Sequence, residues 1–305
     1  MNAGRTPAPD ESFALLSDDR RIGILEVLAA ESTSRSFSEL YEEVDAPNTA
    51  NLAYHLRQLM DVYVEKVDEG YLLTNAGYRA LRFARSESIE AGLDFDDLTV
   101  PTYCPRCGDV DGIVEDEVRL VSVCCGECDL QLVRTELTPA IAAERTPLEA
   151  LEAADRRVRS TYADALTGTC GVCGGVVDRT LERHDEPIDG AAYARTVCRR
   201  CGETISAPVE LVLIHHPAVV AYYWRRGVDL GRKPTWELLC EISQWETINR
   251  SGSRESVGEN ATGNAADTSE PRATIETIEI IVPGEPSLHL RLSDEAGVTV
   301  LESAD

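Results

Sequence analysis

The segment from residue 104 to residue 128 reads CPRCGDVDGIVEDEVRLVSVCCGEC. It begins with the pair Cys104 and Cys107 and ends with the pair Cys125 and Cys128, and 17 residues separate the two pairs. Each C-x-x-C pair can form a tight turn that presents two sulfur atoms to one ion, and the interval fits a β-hairpin. The spacing therefore predicts a tetrahedral four-cysteine zinc site. Cys124 is a competing ligand, but only Cys125 keeps the C-x-x-C spacing.

The same arrangement recurs further along the chain. Cys170 and Cys173 are followed, after 24 residues, by Cys198 and Cys201. Both segments resemble zinc ribbons, and we expect them to span residues 100–138 and 168–213. Four thiolates close the coordination shell and leave no activatable water, so we expect two structural Zn²⁺ sites. Spacing alone does not separate zinc from iron–sulfur ligation.

The composition limits the class of protein. The 305 residues carry 54 Asp and Glu against 29 Lys and Arg, for a net charge of -25, and only Lys66 and Lys233 are lysine. This composition resembles that of cytosolic proteins from salt-in halophiles. No apolar stretch is long enough to span a membrane, and the first residues lack the apolar region of a signal peptide. With ten cysteines, these features predict a cytoplasmic protein with no membrane partner.

Residues 11–86 have the pattern of a small helical domain with a hairpin. One helix is expected from Ser17 to Ala30, a second after the capping box that begins at Ser36, and a third from Thr49 to Met60. A hairpin around Glu69-Gly70 and a last helix capped by Thr74 follow. This order of elements is typical of a winged helix-turn-helix.

Three sequence motifs in this domain resemble those of the ArsR-like winged-helix regulators. They are Phe13-Ala14-Leu15-Leu16, the run LAYHLRQL at residues 52–59 and the run GYLLTNAG at residues 70–77. The resemblance covers residues 11–85, and the whole chain also resembles haloarchaeal proteins that join such a domain to cysteine-rich segments. Metal-sensing members carry cysteines in the helix before the recognition helix, whereas residues 39–44 contain none. Metal sensing at that position is therefore not expected.

The resemblance implies a homodimer that binds double-stranded DNA, with the third helix in the major groove and the hairpin as a wing. Polar side chains at the start and along that helix can contact bases and phosphates, and one lysine falls on the wing. Either Tyr54 or His55 could instead be packed inside the domain. The candidate DNA-binding residues are Asn48, Thr49, Asn51, Tyr54, His55, Arg57, Gln58 and Lys66.

The rest of the chain gives weaker signals. A linking helix is expected over residues 146–166, and residues 214–305 are expected to form a small α/β region with a disordered loop at 251–272. We expect a strand at Leu211–Ile214, a helix from Ala218 to Arg226 and three short strands after the loop. Further residues have a structural and a functional interpretation: His215 and His216 as packing or metal ligands, Arg199 and Arg200 as charge balance or phosphate contacts, and Trp224, Trp236 and Trp245 as core or pocket. Cys240 is expected to be a buried free thiol.

Together these patterns predict a multi-domain α+β protein with an N-terminal winged helix-turn-helix, two zinc-ribbon-like modules and a C-terminal α/β region. No phosphate-binding loop, nucleophile motif or catalytic metal motif is present in the sequence, so we do not expect an enzyme. The favoured function is a DNA-binding transcriptional regulator, with an unknown effector or protein partner at the C-terminal region. The alternative is a zinc-ribbon interaction protein whose winged helix serves dimerisation or partner docking.

Overall fold

A computed structural model describes residues 8–30, 33–87, 92–117, 119–184, 191–249, 273–293 and 297–301. The fold is mixed α+β, with several small antiparallel sheets, and it divides into two compact units, Met1–Ala91 and Gly92–Asp305. The loop predicted to be disordered at 251–272 lies outside the described residues. No helix in the described part of the chain is both long and apolar enough to cross a bilayer.

The first unit consists of helices and one hairpin. Its elements are α1 (Pro9–Ala14), α2 (Asp19–Ala30), α3 (Phe37–Glu43), α4 (Thr49–Leu59), β1 (Val64–Val67), β2 (Gly70–Leu73) and α5 (Asn75–Glu87). The helices and the hairpin predicted from the sequence are present in the predicted order. The first helix, α1, begins at Pro9, where the Ala8 N–H donates to the Glu11 carboxylate at 3.1 Å.

Side-chain caps and one glycine set the boundaries of these elements. Asn48 Oδ1 accepts from the N–H of Asn51 at 2.9 Å and begins α4, and Thr74 Oγ1 accepts from the N–H of Gly77 at 3.1 Å and begins α5. Gly70 opens β2 with a φ of +148°, and a Cβ there would lie 2.2 Å from the carbonyl oxygen of Arg35. The hairpin turn therefore requires glycine at this position.

The core of the first unit forms where one face of α4 meets α2. Leu52, Leu56 and Leu59 recur at helical spacing on α4 and are buried. They belong to one cluster with Ile24 and Leu25 of α2. This packing fixes the orientation of α4, so the opposite face of the helix is directed to solvent.

The second unit contains three four-stranded antiparallel sheets and five helices among its described residues. The sheet orders are β3-β4-β5-β6, β11-β7-β8-β9 and β10-β12-β13-β14. The strands are β3 (Thr99–Cys104), β4 (Gly108–Glu117), β5 (Leu120–Cys125), β6 (Gln131–Glu136), β7 (Val177–His184), β8 (Ala191–Cys198), β9 (Thr204–Pro208), β10 (Glu246–Asn249), β11 (Ala273–Ile275), β12 (Thr277–Val282), β13 (Leu288–Ser293) and β14 (Gly297–Leu301). The helices are α6 (Pro139–Ala142), α7 (Pro147–Leu166), α8 (Val209–Leu213), α9 (Pro217–Trp224) and α10 (Thr235–Ile242).

The expected strand at Leu211–Ile214 is wrong, because this segment belongs to the short helix α8 and the turn that follows it. Both a buried strand and a buried helix produce a run of apolar residues, so periodicity could not separate them. The next helix agrees with prediction: the His216 side chain accepts from the N–H of Ala218 at 3.3 Å to cap α9, and Gly227 follows with a φ of +79°. His215 is packed, and its burial lowers its pKa to about 4.

The three tryptophans do not form one core. Trp236 is buried against the sheet β3-β4-β5-β6, where Thr102 Oγ1 donates to the carbonyl oxygen of Trp236 at 2.8 Å. Trp245 belongs to a different cluster with Tyr223, whereas Trp224 is 65% exposed. The expected buried thiol Cys240 is only half-buried.

The linking helix α7 confirms the expected helix and contributes to the core. Leu151 and Ala154 are fully buried. One turn further on, Asp155 and Arg159 form a buried pair, with Oδ2 and Nη1 3.9 Å apart. Asp155 Oδ2 accepts from the N–H of Thr235 at 3.1 Å, and Arg159 Nη2 donates to the carbonyl oxygen of Leu230 at 2.6 Å. This pair connects α7 to the segment that leads into α10.

Replacing Asp155 by Ala is expected to lower the free energy of unfolding by about 3–5 kcal/mol, because Arg159 would keep a buried charge without its carboxylate. The matched control is Glu152→Ala on the same helix, which removes an exposed ion pair of the same spacing, Glu152 with Arg156 at 3.5 Å. That change is expected to cost no more than about 0.5 kcal/mol. Chemical denaturation of metal-loaded protein measures both values, and equal losses would contradict a structural role for the buried pair.

Candidate metal centres and the exposed face of α4

The eight cysteines of the four C-x-x-C pairs form two groups in the structure. In each group the four sulfur atoms all lie within 4.8 Å of one another, and each group could hold a metal ion. The sulfurs of Cys104 and Cys128 lie 3.8 Å apart, and those of Cys173 and Cys198 lie 3.5 Å apart. A tetrahedral zinc ion with Zn–S bonds of about 2.3 Å separates its sulfurs by about 3.8 Å. The geometry is therefore compatible with zinc. The two groups are Cys104, Cys107, Cys125 and Cys128, and Cys170, Cys173, Cys198 and Cys201.

The backbone of each C-x-x-C turn is shaped to hold its sulfurs. The residue after the second cysteine has a positive φ in all four turns: Gly108, Asp129, Gly174 and Gly202. The N–H groups of Asp129, Gly174 and Gly202 each donate to the carbonyl oxygen of the first cysteine in the same turn, at 2.8–3.1 Å. Glycine adopts this conformation at least cost, and Asp is among the few other residues that tolerate it. The spacing of the cysteines alone does not indicate this requirement.

Backbone N–H groups also face the sulfur atoms. The N–H groups of Arg106, Glu127 and Arg200 lie 3.4 Å from the sulfur of the cysteine two residues earlier. Hydrogen bonds from the N–H groups of Cys201 and Arg200 lower the pKa of Cys198 to about 6. For Cys125, burial raises the pKa, but N–H donation from Glu127 and Cys128 outweighs it and lowers the pKa to about 7. Backbone donation therefore favours the thiolate form of Cys125 and Cys198, which is the form that binds metal. Hydrogen bonds from the other sulfurs of each group instead raise the pKa of Cys107, and that of Cys201 despite N–H donation from Glu203, to about 12.

Cys124 lies outside the first group. Cys124 and Cys125 are consecutive residues of β5, so their side chains point to opposite faces of the sheet. Cys124 Sγ lies 3.6 Å from Glu115 Oε2. Burial and the nearby Glu115 carboxylate raise its pKa to about 11, which keeps it a thiol. The contact between Cys124 and Glu115 crosses from β5 to β4, so no local sequence pattern could predict it.

Six of the eight candidate DNA-binding residues are exposed, and three of them lie on one face of α4. Tyr54, Arg57 and Gln58 are exposed and lie on one face by their spacing of three and four residues. Asn48 and Thr49 are exposed at the start of the helix, and Lys66 is exposed on β1. Asn51 is half-buried.

His55 is the exception among these residues, and its expected contact with bases needs correction. It is 5% exposed, its Nδ1 lies 3.7 Å from Asp18 Oδ1, and its ring packs edge-to-face against Tyr54 at 5.2 Å. The spacing already carried this information, because His55 lies three residues from Leu52 and four from Leu59, on the buried face. Of the two residues left open, Tyr54 is the exposed one, at 53%.

Arg199, on the last cysteine turn, supports the simpler of its two interpretations, charge balance with a nearby acid. Arg199 Nε lies 3.0 Å from both carboxylate oxygens of Asp178. The Asp178 side chain raises the pKa of Arg199 in return. The structure therefore places Arg199 in an exposed ion pair on the surface of the sheet β11-β7-β8-β9.

Substitution of single cysteines is expected to separate ligands from bystanders. Wild-type protein should take up two equivalents of Zn²⁺ or Co²⁺, one per group, and Cys125→Ser should reduce this to one tightly bound equivalent. Cys124→Ser is the matched control, because it changes the adjacent residue in the same way and should retain two. Elemental analysis and the Co²⁺ thiolate absorption band measure the outcome. Loss of an ion in Cys124→Ser alone would reverse the ligand assignment.

Comparison with known proteins places most of the chain in two family models. Residues 101–258 match the model described as Domain of unknown function (DUF7351), and residues 9–84 match the one described as Domain of unknown function (DUF7347). A comparison with curated proteins and one with solved structures gave no match. The first match includes all eight grouped cysteines and spans more than half of the chain. The chain therefore belongs to the DUF7351 family.

Proposed function

We propose that this protein is a cytoplasmic DNA-binding transcriptional regulator with two structural zinc sites. The observation that carries the proposal is the surface of α4. This helix follows α3 after a short turn, precedes a two-stranded hairpin, and combines a buried apolar face with an exposed polar one. Helices so placed in winged helix-turn-helix domains enter the major groove.

The exposed side chains of α4 supply the chemistry that base recognition needs. The Arg57 guanidinium can donate two hydrogen bonds to one guanine, and the Gln58 amide can both donate to and accept from adenine. Thr49 lies at the first helical position, where N–H groups and a hydroxyl can contact phosphate. Lys66 on β1 supplies a cation from the hairpin. His55 has no base-reading role in this proposal.

The charge of the chain restricts how such binding can work. Residues 1–85 contain nine basic and 14 acidic residues, so a broad basic surface is not available for the phosphates. In concentrated salt, counterion release contributes little to affinity. Binding then depends on directed hydrogen bonds and on the fit of α4 in the groove.

The metal sites serve the fold in this proposal. A site with four cysteine ligands has no open coordination position, so zinc bound there would stabilise the turns rather than activate water. The hard carboxylates that cover the rest of the surface compete poorly for zinc with four thiolates. Zinc is therefore our choice of metal, and no catalytic role follows from it.

Dimerisation is part of the same proposal. Phe13 on α1 and Phe83 on α5 are 68% and 63% exposed. Large aromatic side chains at this level of exposure are common at interfaces between protein chains. A homodimer through the terminal helices of the first unit would cover them. The same exposure supports the second candidate, an interaction protein in which this unit docks a partner and binds no DNA.

The proposal predicts that Arg57→Ala and Gln58→Ala each weaken sequence-specific DNA binding by about 1–3 kcal/mol. The binding site would first be selected from a pool of randomised duplexes with the full-length, zinc-loaded protein in concentrated KCl. Affinities for the selected duplex and for a scrambled one would then be measured by fluorescence anisotropy. Arg82→Ala is the matched control, since it removes the same charge from the exposed surface of α5.

Two results would contradict the regulator. One is the absence of any enriched duplex after selection. The other is an equal loss of affinity in Arg57→Ala and Arg82→Ala, which would indicate general charge attraction only. A homodimer that enriches no duplex and co-purifies with one protein partner would favour the interaction protein.

A further inference from the structure

A cavity of about 320 Å³ lies within the second unit, between the two cysteine-bearing sheets. Tyr103 of β3 and Pro105 of the first C-x-x-C turn line one side. Tyr193 of β8, the helices α8 and α10, and residues 130–132 before and in β6 are among the other lining elements. Pockets for small organic ligands begin at about this volume. The cavity is outside the first unit, and none of the grouped cysteines lines it.

The lining of the cavity is mostly aromatic and aliphatic. Tyr103, Tyr193 and Trp245 contribute rings, and most of the other lining residues are aliphatic side chains such as Leu130, Leu211 and Ile242. The indole N–H of Trp245 is already donated to the hydroxyl of Tyr223 at 2.8 Å. The ring of Trp245 is thus held in place, and its polar atom is satisfied within the protein.

Glu210 is the single charged residue among the described residues that line the cavity. It lies in the first turn of α8, and its Oε1 accepts a hydrogen bond from Thr247 Oγ1 at 2.9 Å. Burial raises its pKa. No ion pair between Glu210 and a cation is found in the described part of the chain. Glu210 is half-buried, and a carboxylate in such a place whose side-chain donor is a neutral hydroxyl is costly to ionise. A bound cation would reduce that cost.

We propose that this cavity binds a small organic amine, with its ammonium group paired to Glu210 and its apolar body, about one ring in size, packed among Tyr103, Tyr193 and Trp245. The ammonium would be recognised by the carboxylate and by the faces of neighbouring rings, which attract cations. The apolar body would fill the remaining volume. A neutral or anionic molecule of the same shape lacks the pairing with Glu210. This inference does not rest on DNA binding.

The test uses the full-length, zinc-loaded protein and three probes that share a phenethyl body: phenethylamine, its isostere phenethyl alcohol, and the anion hydrocinnamate. Isothermal titration calorimetry in concentrated KCl should show phenethylamine binding at least about tenfold more tightly than the alcohol, a difference of about 1.4 kcal/mol. Hydrocinnamate should not bind. The high salt screens the attraction of any cation to the acidic surface, whereas it screens a buried pair much less.

Substitutions in the cavity identify the group responsible. Glu210→Gln should remove the preference for the amine over the alcohol, and Thr247→Val, which removes the donor to Glu210, should weaken it. Glu237→Gln is the matched control, because it removes one carboxylate from the exposed surface of α10 and should leave amine binding unchanged. Retention of two zinc ions per chain confirms that each variant is folded. If Glu210→Gln does not fold, the Thr247→Val result decides.

Three results would overturn the inference. The first is no phenethylamine binding up to millimolar concentration. The second is equal affinity for the amine and the alcohol in wild-type protein. The third is an unchanged preference for the amine when Glu210 or Thr247 is replaced, or a loss of it in Glu237→Gln.

Discussion

The second unit depends on the approach of four sulfur atoms in each cysteine group. Thiolates within 4.8 Å of one another repel, and they can remain ionised together only with a cation between them. Three of the four C-x-x-C turns begin at the end of a strand: Cys104 ends β3, Cys125 ends β5 and Cys198 ends β8. An ion bound to all four sulfurs would therefore join strands that are distant in sequence. Metal binding and the folding of both sheets would then be one equilibrium.

Local signals allowed much of this structure to be predicted. C-x-x-C spacing identified both groups, because a turn of that length can place its two sulfurs on one ion. Capping side chains marked the helices, and Thr146 and Thr74 begin α7 and α5 as expected. These features depend on residues three or four apart. Such features form whatever tertiary contacts the rest of the chain makes.

Features that depend on distant contacts were missed. The apolar run before Ile214 forms a helix because of its neighbours in space, not because of its own periodicity. The partner of Cys124 is Glu115, nine residues away on another strand. The cavity around Glu210 requires residues from both sheets and two helices. The spacing of His55 from Leu52 and Leu59 indicates a buried side chain, whereas its polarity and the resemblance to DNA-binding helices indicate an exposed one.

The small strand β11 has a consequence for how this protein can be divided. Its residues 273–275 pair with residues 181–183 of β7, so the sheet that carries the second cysteine group is completed by a segment far along the chain. The match to the DUF7351 family ends at residue 258, before this strand. A fragment cut at that boundary would expose the hydrogen-bonding edge of β7, and exposed edges promote aggregation. The second cysteine module is thus not a self-contained building block that could be transplanted by sequence boundaries alone.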